Sequence, residues 1–290
     1  MKETTEFRIN YDFANLLFED NEGVDLGQIS KSIKVVQLSK DDPRYSQIPI
    51  IAKQVKDKYN KGFFFGWKIK RKYSKKELDT AILFQIKIKT KFEPTGEECG
   101  TTYDEKFICD ICGVGRKQIG LLKLKKNTIP NKDIVSTIGG EVLVSEKFVK
   151  IFRERKLNGV EFAPVVFEKD KSNYFQLIVF SKLELTNKTI AGINPFDFSE
   201  SCEIVDYNVS KKEIYKCPRG HTIGLNLLSE AYVEKNQLIQ NCDFFVSKQR
   251  IGVSRGLLKP EPLYFCSIAL KKMIDEEKLS GFDFEIANVE

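Results

Sequence analysis

Seven cysteines and a single histidine are the residues of this 290-residue chain that could hold a metal ion or act as nucleophiles. Cys109 and Cys112 form a C-x-x-C-G element. Ten residues earlier, Cys99-Gly100 is an incomplete copy, with Gly96 where its leading cysteine would stand. Two thiolates three positions apart chelate one ion, and glycine lets the backbone fold so that its N–H groups point at the sulfurs. This spacing predicts a metal-binding knuckle.

A thioredoxin-type redox pair is the other function associated with C-x-x-C. That chemistry favours the motif at the N-terminus of a helix, which lowers the thiol pKa. Here the segment ICDICGVGRKQIG contains several glycines and leads into a predicted strand, which argues against a redox pair. The sequence also shows no export signal, so a disulfide framework is not expected.

Further ligand candidates occur in C-P-x-G-H, where Cys217 and His221 resemble a knuckle with histidine as its second ligand. Four ligands complete a structural zinc site. Two sets stay open: Cys99, Cys109 and Cys112 with His221 or Cys217, or else Cys109, Cys112, Cys217 and His221. The sequence therefore predicts structural zinc, and the alternative is a remnant of such a site held together by hydrogen bonds and packing.

The same residues restrict the enzyme classes to which the chain could belong. With one histidine, H-E-x-x-H metalloproteases and two-histidine iron sites are excluded. The zinc deaminase signature is absent because His221 is followed by Thr222 and Ile223. The sequence contains no G-x-S-x-G, Walker or G-x-G-x-x-G motif. We assign no catalytic or cofactor-binding residue, and an enzyme of unrecognised type that uses His221 stays as an alternative.

An internal repeat provides the clearest information about architecture. LVSEKFVKIFRERKLNGVEFAPV (143–165) recurs as FCSIALKKMIDEEKLSGFDFEIA (265–287) at a constant offset of 122 residues. Each copy predicts a short strand, a serine N-cap, an amphipathic helix, a glycine stop and a second strand. Strand-like runs also lie between the copies, at 173–185 and 242–248. The sequence thus predicts a strand–helix–strand unit used twice.

Other segments place this unit in an α+β fold. Apolar spacing predicts a helix over 48–59, and the Ser74–Glu77 capping box predicts a short helix over 75–82. Strict alternation over 84–92 predicts a strand with one solvated face. We expect mixed or antiparallel sheets, short helices and a zinc-knuckle-like cysteine segment. The expected regions are an N-terminal α+β region (1–92), a cysteine-knuckle segment with the first repeat (93–168), and a C-terminal region with the second repeat (169–290).

Composition and charge narrow the possible partners. The net charge is +6, and the chain has 38 lysines and 9 arginines scattered among 41 acidic residues. Nucleic-acid-binding surfaces rely on arginine for bidentate contacts with phosphates and bases, so this composition does not favour such a surface. The basic run KIKRKYSKKE (68–77), beside Trp67, is the best candidate for nucleic-acid binding. Alternating lysines are also typical of a solvated sheet edge. No apolar run is long enough to span a membrane, so we expect a cytoplasmic protein.

The paired Cys-Gly elements in GEECG…CDICG resemble the bacterial double-CXXCG family, whose members occur among immunity proteins of polymorphic toxin systems. The similarity covers roughly residues 70–168 and includes a Pro-x-Lys-Asp-Ile-type segment at 130–134 and the Val-Ser…Gly-x-x-Phe unit. Gly96 departs from the family pattern, so four cysteines cannot form a site locally and any metal needs Cys217 or His221.

This resemblance implies a non-enzymatic binding protein that blocks a cognate bacterial toxin. Such an inhibitor needs a rigid scaffold and a surface complementary to one protein partner, and a cationic inhibitor suits an acidic surface. The alternatives are a zinc-ribbon-like nucleic-acid-binding protein and an enzyme that uses His221.

Overall fold

The computed structural model describes residues 1–25, 33–167, 173–192, 196, 216–239 and 241–290. Within these ranges the chain is α+β, with mixed and antiparallel sheets and short helices, which confirms the predicted fold class. It forms two compact units: residues 1–80 with Phe196 make unit 1, and the other described residues from Ala81 onward make unit 2. No helix in the described ranges is long and apolar enough to cross a membrane.

The division into units differs from the three regions expected from the sequence. Strand 83–88 falls within the expected N-terminal region 1–92, but it lies in unit 2, where it pairs with strands 261–267 and 282–289. The expected regions 93–168 and 169–290 contribute to this same unit. Local patterns carry no information about a strand partner that lies about 180 residues away, so the sequence did not show that strand 83–88 pairs within unit 2.

Unit 1 is a four-stranded sheet with helices packed against it. The strand order is β2-β3-β1-β4, and β1 pairs antiparallel with both β3 and β4. The helix predicted over 48–59 is present. The short helix predicted over 75–82 is also present, over Lys75–Thr80, and the Ser74–Glu77 capping box lies at its start. The elements are β1 (Lys2–Asn10), α1 (Tyr11–Ala14), β2 (Val24–Asp25), β3 (Ile33–Ser39), a 3₁₀ turn (Tyr45–Gln47), α2 (Ile48–Tyr59), β4 (Phe64–Lys72) and α3 (Lys75–Thr80).

Unit 2 contains the six cysteines of the described ranges and both copies of the repeat. Its elements are β5 (Leu83–Ile88), β6 (Lys91–Phe92), β7 (Thr102–Asp104), β8 (Lys117–Ile119), β9 (Leu122–Lys123), β10 (Ile134–Thr137), β11 (Val142–Ser145), α4 (Glu146–Glu154), β12 (Val160–Val166), β13 (Tyr174–Val179), β14 (Lys182–Leu183), β15 (Ala191–Gly192), β16 (Thr222–Gly224), β17 (Asn226–Leu227), β18 (Ala231–Val233), β19 (Phe244–Ile251), β20 (Glu261–Ser267), α5 (Ile268–Glu276) and β21 (Phe282–Val289). Two 3₁₀ turns lie at Lys126–Thr128 and Lys235–Gln237.

The two large sheets of unit 2 have the same strand arrangement. One sheet has the order β6-β10-β11-β13-β12-β9, and the other has the order β14-β19-β20-β5-β21-β18, with β16 added beside β19. The first and last pairs are parallel in both sheets, and the three inner pairs are antiparallel. The registers also match: Ser145 pairs with Tyr174 as Ser267 pairs with Leu83. Unit 2 is therefore internally pseudo-symmetric.

Each half of unit 2 contributes one strand to the sheet of the other half. The first half runs from β5 to β12 and the second from β13 to β21, and each begins with the strand that lies in the other sheet. Part of the face predicted to be solvated on strand 84–92 is covered: Gln85 is buried, and Lys87 forms an ion pair with Glu285 of the neighbouring strand β21. Lys89 and Lys91, which follow β5, are exposed as predicted.

The predicted strand–helix–strand unit is confirmed in both halves. The Ser145 hydroxyl accepts a hydrogen bond from the N–H of Phe148 (3.1 Å) at the start of α4, and Ser267 does the same for Leu270 (3.2 Å) at α5. Such N-caps contribute about 1 kcal/mol each to stability. Each cap fixes the position at which its amphipathic helix begins. Both helices therefore turn an equivalent apolar face towards the sheet.

Reciprocal hydrogen bonds join the two halves. Asp133, just before β10, accepts from the hydroxyl of Ser145 in its own half and from the N–H and hydroxyl of Ser280 in the other (2.8, 2.7 and 2.9 Å). Asp243, just before β19, accepts from the hydroxyl of Ser267 in its own half and the N–H of Asn158 in the other (2.6 and 2.9 Å). Each half thus orients the end of the other half's helix unit.

Candidate metal centre

The first knuckle is the turn between β7 and β8, which pair as an antiparallel hairpin. The N–H of Cys109 donates to the carbonyl of Val114 (2.7 Å), and the N–H of Gly113 returns to the carbonyl of Cys109 (2.9 Å). Gly113 has φ +71°, a left-handed conformation that glycine adopts without strain. This tight turn directs the sulfurs of Cys109 and Cys112 inward, as the C-x-x-C-G pattern predicted.

The second knuckle precedes β16 and has the same closure. The N–H of Cys217 donates to the carbonyl of Thr222 (3.0 Å), five residues on, as in the first knuckle. Gly220 has φ +79°, and its N–H donates to the carbonyl of Cys217 (2.9 Å). The main sheet anchors this turn, because β16 pairs with β19 and the N–H of Arg250 donates to the carbonyl of His221 (2.8 Å).

The structure brings together Cys109, Cys112, Cys217 and His221, whose ligand atoms all lie within 4.8 Å of one another. The Sγ atoms of Cys109 and Cys217 are 4.0 Å apart. The Nδ1 atom of His221 lies 3.6 Å from Cys112 Sγ and 3.7 Å from Cys217 Sγ. This is the second of the two ligand sets that the sequence left open, with two ligands from each half. The cluster could bind a metal ion.

Burial and nearby donors control the electrostatics of this cluster. The three cysteines are 2–5% exposed. Burial raises the pKa of Cys112, and the neighbouring sulfurs raise it further. At Cys109, the N–H groups of Cys112 and Ile111 and the imidazole of His221 outweigh burial and lower its pKa. One thiolate is therefore favoured even before an ion compensates its charge.

An ion pair lies beside the cluster. Arg219 Nη1 is 3.7 Å from Cys109 Sγ and 2.6 Å from the carboxylate of Asp110. The coulombic effect of Asp110 and then of Cys109 raises the pKa of Arg219. Asp110 is 73% exposed and engaged with this arginine, so it does not point into the cluster as a general base would.

Cys99, the remaining metal candidate, lies outside this cluster. It packs against a different group of core side chains that includes Phe92 and Leu122. Its segment begins with a capping box in which Thr95 and Glu98 bond each other's backbone N–H groups. At Gly96, an added Cβ would meet Leu122 and Tyr103 at 2.6 and 2.7 Å, so the missing cysteine has no space here. The first Cys-Gly pair is a capped turn of the core.

The basic run at 68–77 lies in unit 1, on and after β4. Lys70 and Arg71 form ion pairs with Glu6 and Glu3 of the neighbouring strand β1. Trp67 packs against the aromatic core of unit 1, with its ring 5.5 Å from that of Phe196. Two of the cations are therefore neutralised by carboxylates, and the Trp67 ring packs against the core. Fewer groups of this run are left to contact phosphates or stack on bases.

Sequence reasoning did not find the tyrosine, arginine and glutamate residues that surround the first knuckle. The guanidinium of Arg116 lies 3.7 Å above the ring of Tyr103, and the hydroxyl of Tyr103 donates to the buried carboxylate of Glu141. Burial, followed by this hydrogen bond, raises the pKa of Tyr103. No spacing links these residues, because they come from separate strands and turns.

No protein-family model matches this chain, and no curated protein matches it. The resemblance to double-CXXCG proteins therefore stays a prediction.

Proposed function

We propose that this chain is a non-enzymatic binding protein whose second unit is held together by one structural zinc ion. Cys109, Cys112, Cys217 and His221 would be its ligands. The observation that carries this proposal is the convergence of two knuckles, one from each half, on a common point. Three thiolates and one imidazole form a ligand set that is common in structural zinc sites.

The spacing of the ligand atoms fits a tetrahedral ion. With Zn–S near 2.3 Å and Zn–N near 2.1 Å, tetrahedral geometry places sulfurs about 3.8 Å apart and sulfur and nitrogen about 3.6 Å apart. The sulfurs of Cys109 and Cys217 are 4.0 Å apart, and His221 Nδ1 is 3.6 and 3.7 Å from two sulfurs. A disulfide would need sulfurs about 2.05 Å apart. Zinc fits this cluster with small inward movements.

A structural role is favoured over catalysis for two reasons. Four protein ligands leave no coordination position for water or substrate. Cavities of about 670, 550 and 200 Å³ lie in the described ranges, and no ligand residue lines them. Because each half supplies two ligands, the ion would link the halves and increase the stability of unit 2. The charge of zinc with three thiolates is −1, which Arg219 would partly balance.

Metal analysis of protein purified without added metal tests the zinc site. We expect one zinc per chain. Cys112→Ser should abolish stoichiometric binding and lower the melting temperature by about 10 °C, since structural zinc contributes folding free energy directly. Cys99→Ser is the matched control and should keep its zinc. A wild-type protein without zinc, or zinc loss in Cys99→Ser alone, would contradict the assignment.

The partner that we propose is a bacterial toxin domain. The support is the resemblance of the Cys-Gly elements and the repeated unit to immunity-type proteins, together with a net charge of +6 that suits an acidic surface. A binding scaffold without a catalytic metal position is compatible with this role.

A genetic and biochemical experiment tests the partner. A toxin-domain gene immediately upstream should encode a protein that arrests growth, and co-expression of this chain should restore growth and give a stable complex. Absence of rescue and of a complex would contradict the proposal. Affinity for heterogeneous DNA or RNA that falls steeply with salt would instead support the nucleic-acid alternative.

A further inference from the structure

A cavity of about 200 Å³ lies in unit 2 close to the cysteine cluster. Its walls include the end of the first knuckle (113–116), the turn between β10 and β11 (139–141) and the beginning of β20. Residues of both halves therefore line it. Arg250 connects this cavity to the cluster, because its side chain lines the cavity while its backbone N–H donates to the carbonyl of His221.

Arg250 is a largely buried cation without a carboxylate partner. Its Nη1 donates to the carbonyl of Pro260 (3.0 Å), and within the described part of the chain its side chain makes no ion pair and no other hydrogen bond. Burial lowers the pKa of Arg250, although an arginine stays protonated at physiological pH. Its other guanidinium N–H groups have no acceptor among the described residues, so they can donate to a bound anion.

Tyr264 adds a second donor to the same wall. Its hydroxyl makes no hydrogen bond with any residue of the described ranges, while its ring packs edge-on against Phe244 (6.3 Å). Burial raises the pKa of Tyr264, so the phenol remains a neutral O–H donor. Tyr264 is partly exposed, so its hydroxyl can donate to a group bound in the cavity. The cavity thus combines two donors that lack acceptors.

The acidic residues of the cavity are already engaged. Glu141 accepts hydrogen bonds from the hydroxyls of Tyr103 and Thr137. Both carboxylate oxygens of Glu261 lie 2.7 Å from the ammonium of Lys91. The groups of the cavity that remain able to bind a ligand are therefore the hydrogen-bond donors of Arg250 and Tyr264.

We propose that this cavity binds one carboxylate group, held by the guanidinium fork of Arg250 and the hydroxyl of Tyr264. Arginine matches a planar carboxylate with two parallel hydrogen bonds. A cavity of about 200 Å³ is smaller than the roughly 300–1,000 Å³ of drug-sized sites, so it suits a group the size of an acidic side chain. A doubly charged phosphate is disfavoured because two carboxylates also line the cavity.

The carboxylate could come from a free small acid or from an acidic side chain of a protein partner. Titrations of the purified protein with acetate, with glutamate blocked as N-acetyl and N-methylamide, and with inorganic phosphate, followed by NMR, separate these cases. We expect saturable shifts with a carboxylate and weaker binding of phosphate. Tighter binding of blocked glutamate than of acetate would identify a protein side chain, and the reverse order would identify a free acid.

Three variants test whether Arg250 and Tyr264 hold the carboxylate. Arg250→Gln should weaken carboxylate binding by about tenfold or more, and Tyr264→Phe by about threefold, since hydrogen bonds to charged groups are the stronger ones. Arg155→Gln removes the same charge from unit 2 at a place outside both the cavity and the cluster, and should leave binding unchanged. Equal weakening in Arg155→Gln, no saturable carboxylate binding, or tighter phosphate binding would overturn the proposal. Tyr264→Phe keeps the test valid if Arg250→Gln loses zinc or unfolds.

Discussion

The two halves of unit 2 have the same arrangement of strands and helix. Their equivalent positions carry the same residue types at the helix unit and different ones at the knuckles. At the helix unit both use serine as N-cap, lysine in a left-handed conformation (φ +55° at Lys156 and +51° at Lys278) and glycine three residues later. At the knuckles they differ: the first half supplies Cys112 where the second supplies His221.

The difference follows from what each position requires. Gly159 and Gly281 have φ +107° and +96°, and the backbone of the other half passes where a Cβ would stand, so another residue would be strained and crowded. A metal ligand needs only a donor atom at the correct distance, and either sulfur or imidazole nitrogen provides it. Backbone geometry thus restricts the residue type more strictly than ligation does.

The largest effect is expected at these glycines. In Gly281→Ala the new Cβ would lie 2.3 Å from the carbonyl oxygen of Ile134, and in Gly159→Ala it would lie 2.7 Å from that of Phe244. Left-handed strain and overpacking together should cost about 2–5 kcal/mol of unfolding free energy, with Gly281→Ala the more severe. Denaturant unfolding measures this cost.

Gly120→Ala provides the control for backbone strain alone. Gly120 has φ +73°, and an added Cβ there would meet nothing within 4 Å. We expect a cost of about 1–2 kcal/mol from strain alone. If Gly120→Ala is as damaging as Gly281→Ala, then close packing between the halves is not the cause.

A smaller effect is expected at the two aspartates. Asp133 accepts three hydrogen bonds and Asp243 two, so Asp133→Asn should cost about 2 kcal/mol and Asp243→Asn about 1 kcal/mol. Thermal or urea unfolding of both variants at neutral pH checks the order. The reverse order would show that the third hydrogen bond of Asp133 contributes nothing.

The pH dependence sharpens this comparison. Burial opposes ionisation of Asp133, but hydrogen bonds from Ser280 and Ser145 outweigh it, and the pKa in the folded protein is lowered. The stabilisation is therefore complete above the unfolded-state pKa near 4 and is lost as the pH falls through the lower folded-state value. Between about pH 5 and pH 3, Asp133→Asn should lose less stability than the wild type. Parallel pH profiles would show that the charge of Asp133 is not involved.

The smallest effect is expected where the two helices meet at the surface. Arg155, after α4, pairs with Glu276 and Glu277 of the other half (2.7 and 2.8 Å). These side chains are 35–55% exposed, so solvent and salt screen the attraction. Arg155→Gln should leave the unfolding midpoint unchanged within error. A clear fall in the midpoint that disappears in high salt would show that surface pairs also join the halves.

Much of the fold could be read locally from the sequence, whereas the pseudo-symmetry could not. The N-cap serines and glycines recur at one offset of 122 residues. The matching aspartates Asp133 and Asp243 are 110 residues apart, and the exchanged strands begin 91 residues apart, at Leu83 and Tyr174. The two halves have connecting segments of different length, so equivalent residues are separated by different numbers of positions. A comparison at a single offset therefore finds the helix unit and misses the rest of the repeat.

The metal candidates show the same limit. The spacing within each knuckle identified two pairs, Cys109 with Cys112 and Cys217 with His221, because each pair is formed by one tight turn. Whether Cys99 joined them could not be decided from spacing, since it belongs to a turn of similar composition. Residues more than a hundred positions apart come together through strand pairing, which local patterns do not encode.

The sequence alone determined the helix ends, the turns at the cysteines and the repeated strand–helix–strand unit, because each depends on neighbouring residues and on the conformations that serine and glycine favour. The tertiary structure decided that β5 and β13 exchange sheets, that two knuckles meet, and that Arg250 and Tyr264 line one cavity. These arrangements depend on packing between distant segments, whose free energy is shared among many contacts and is not carried by any single local pattern.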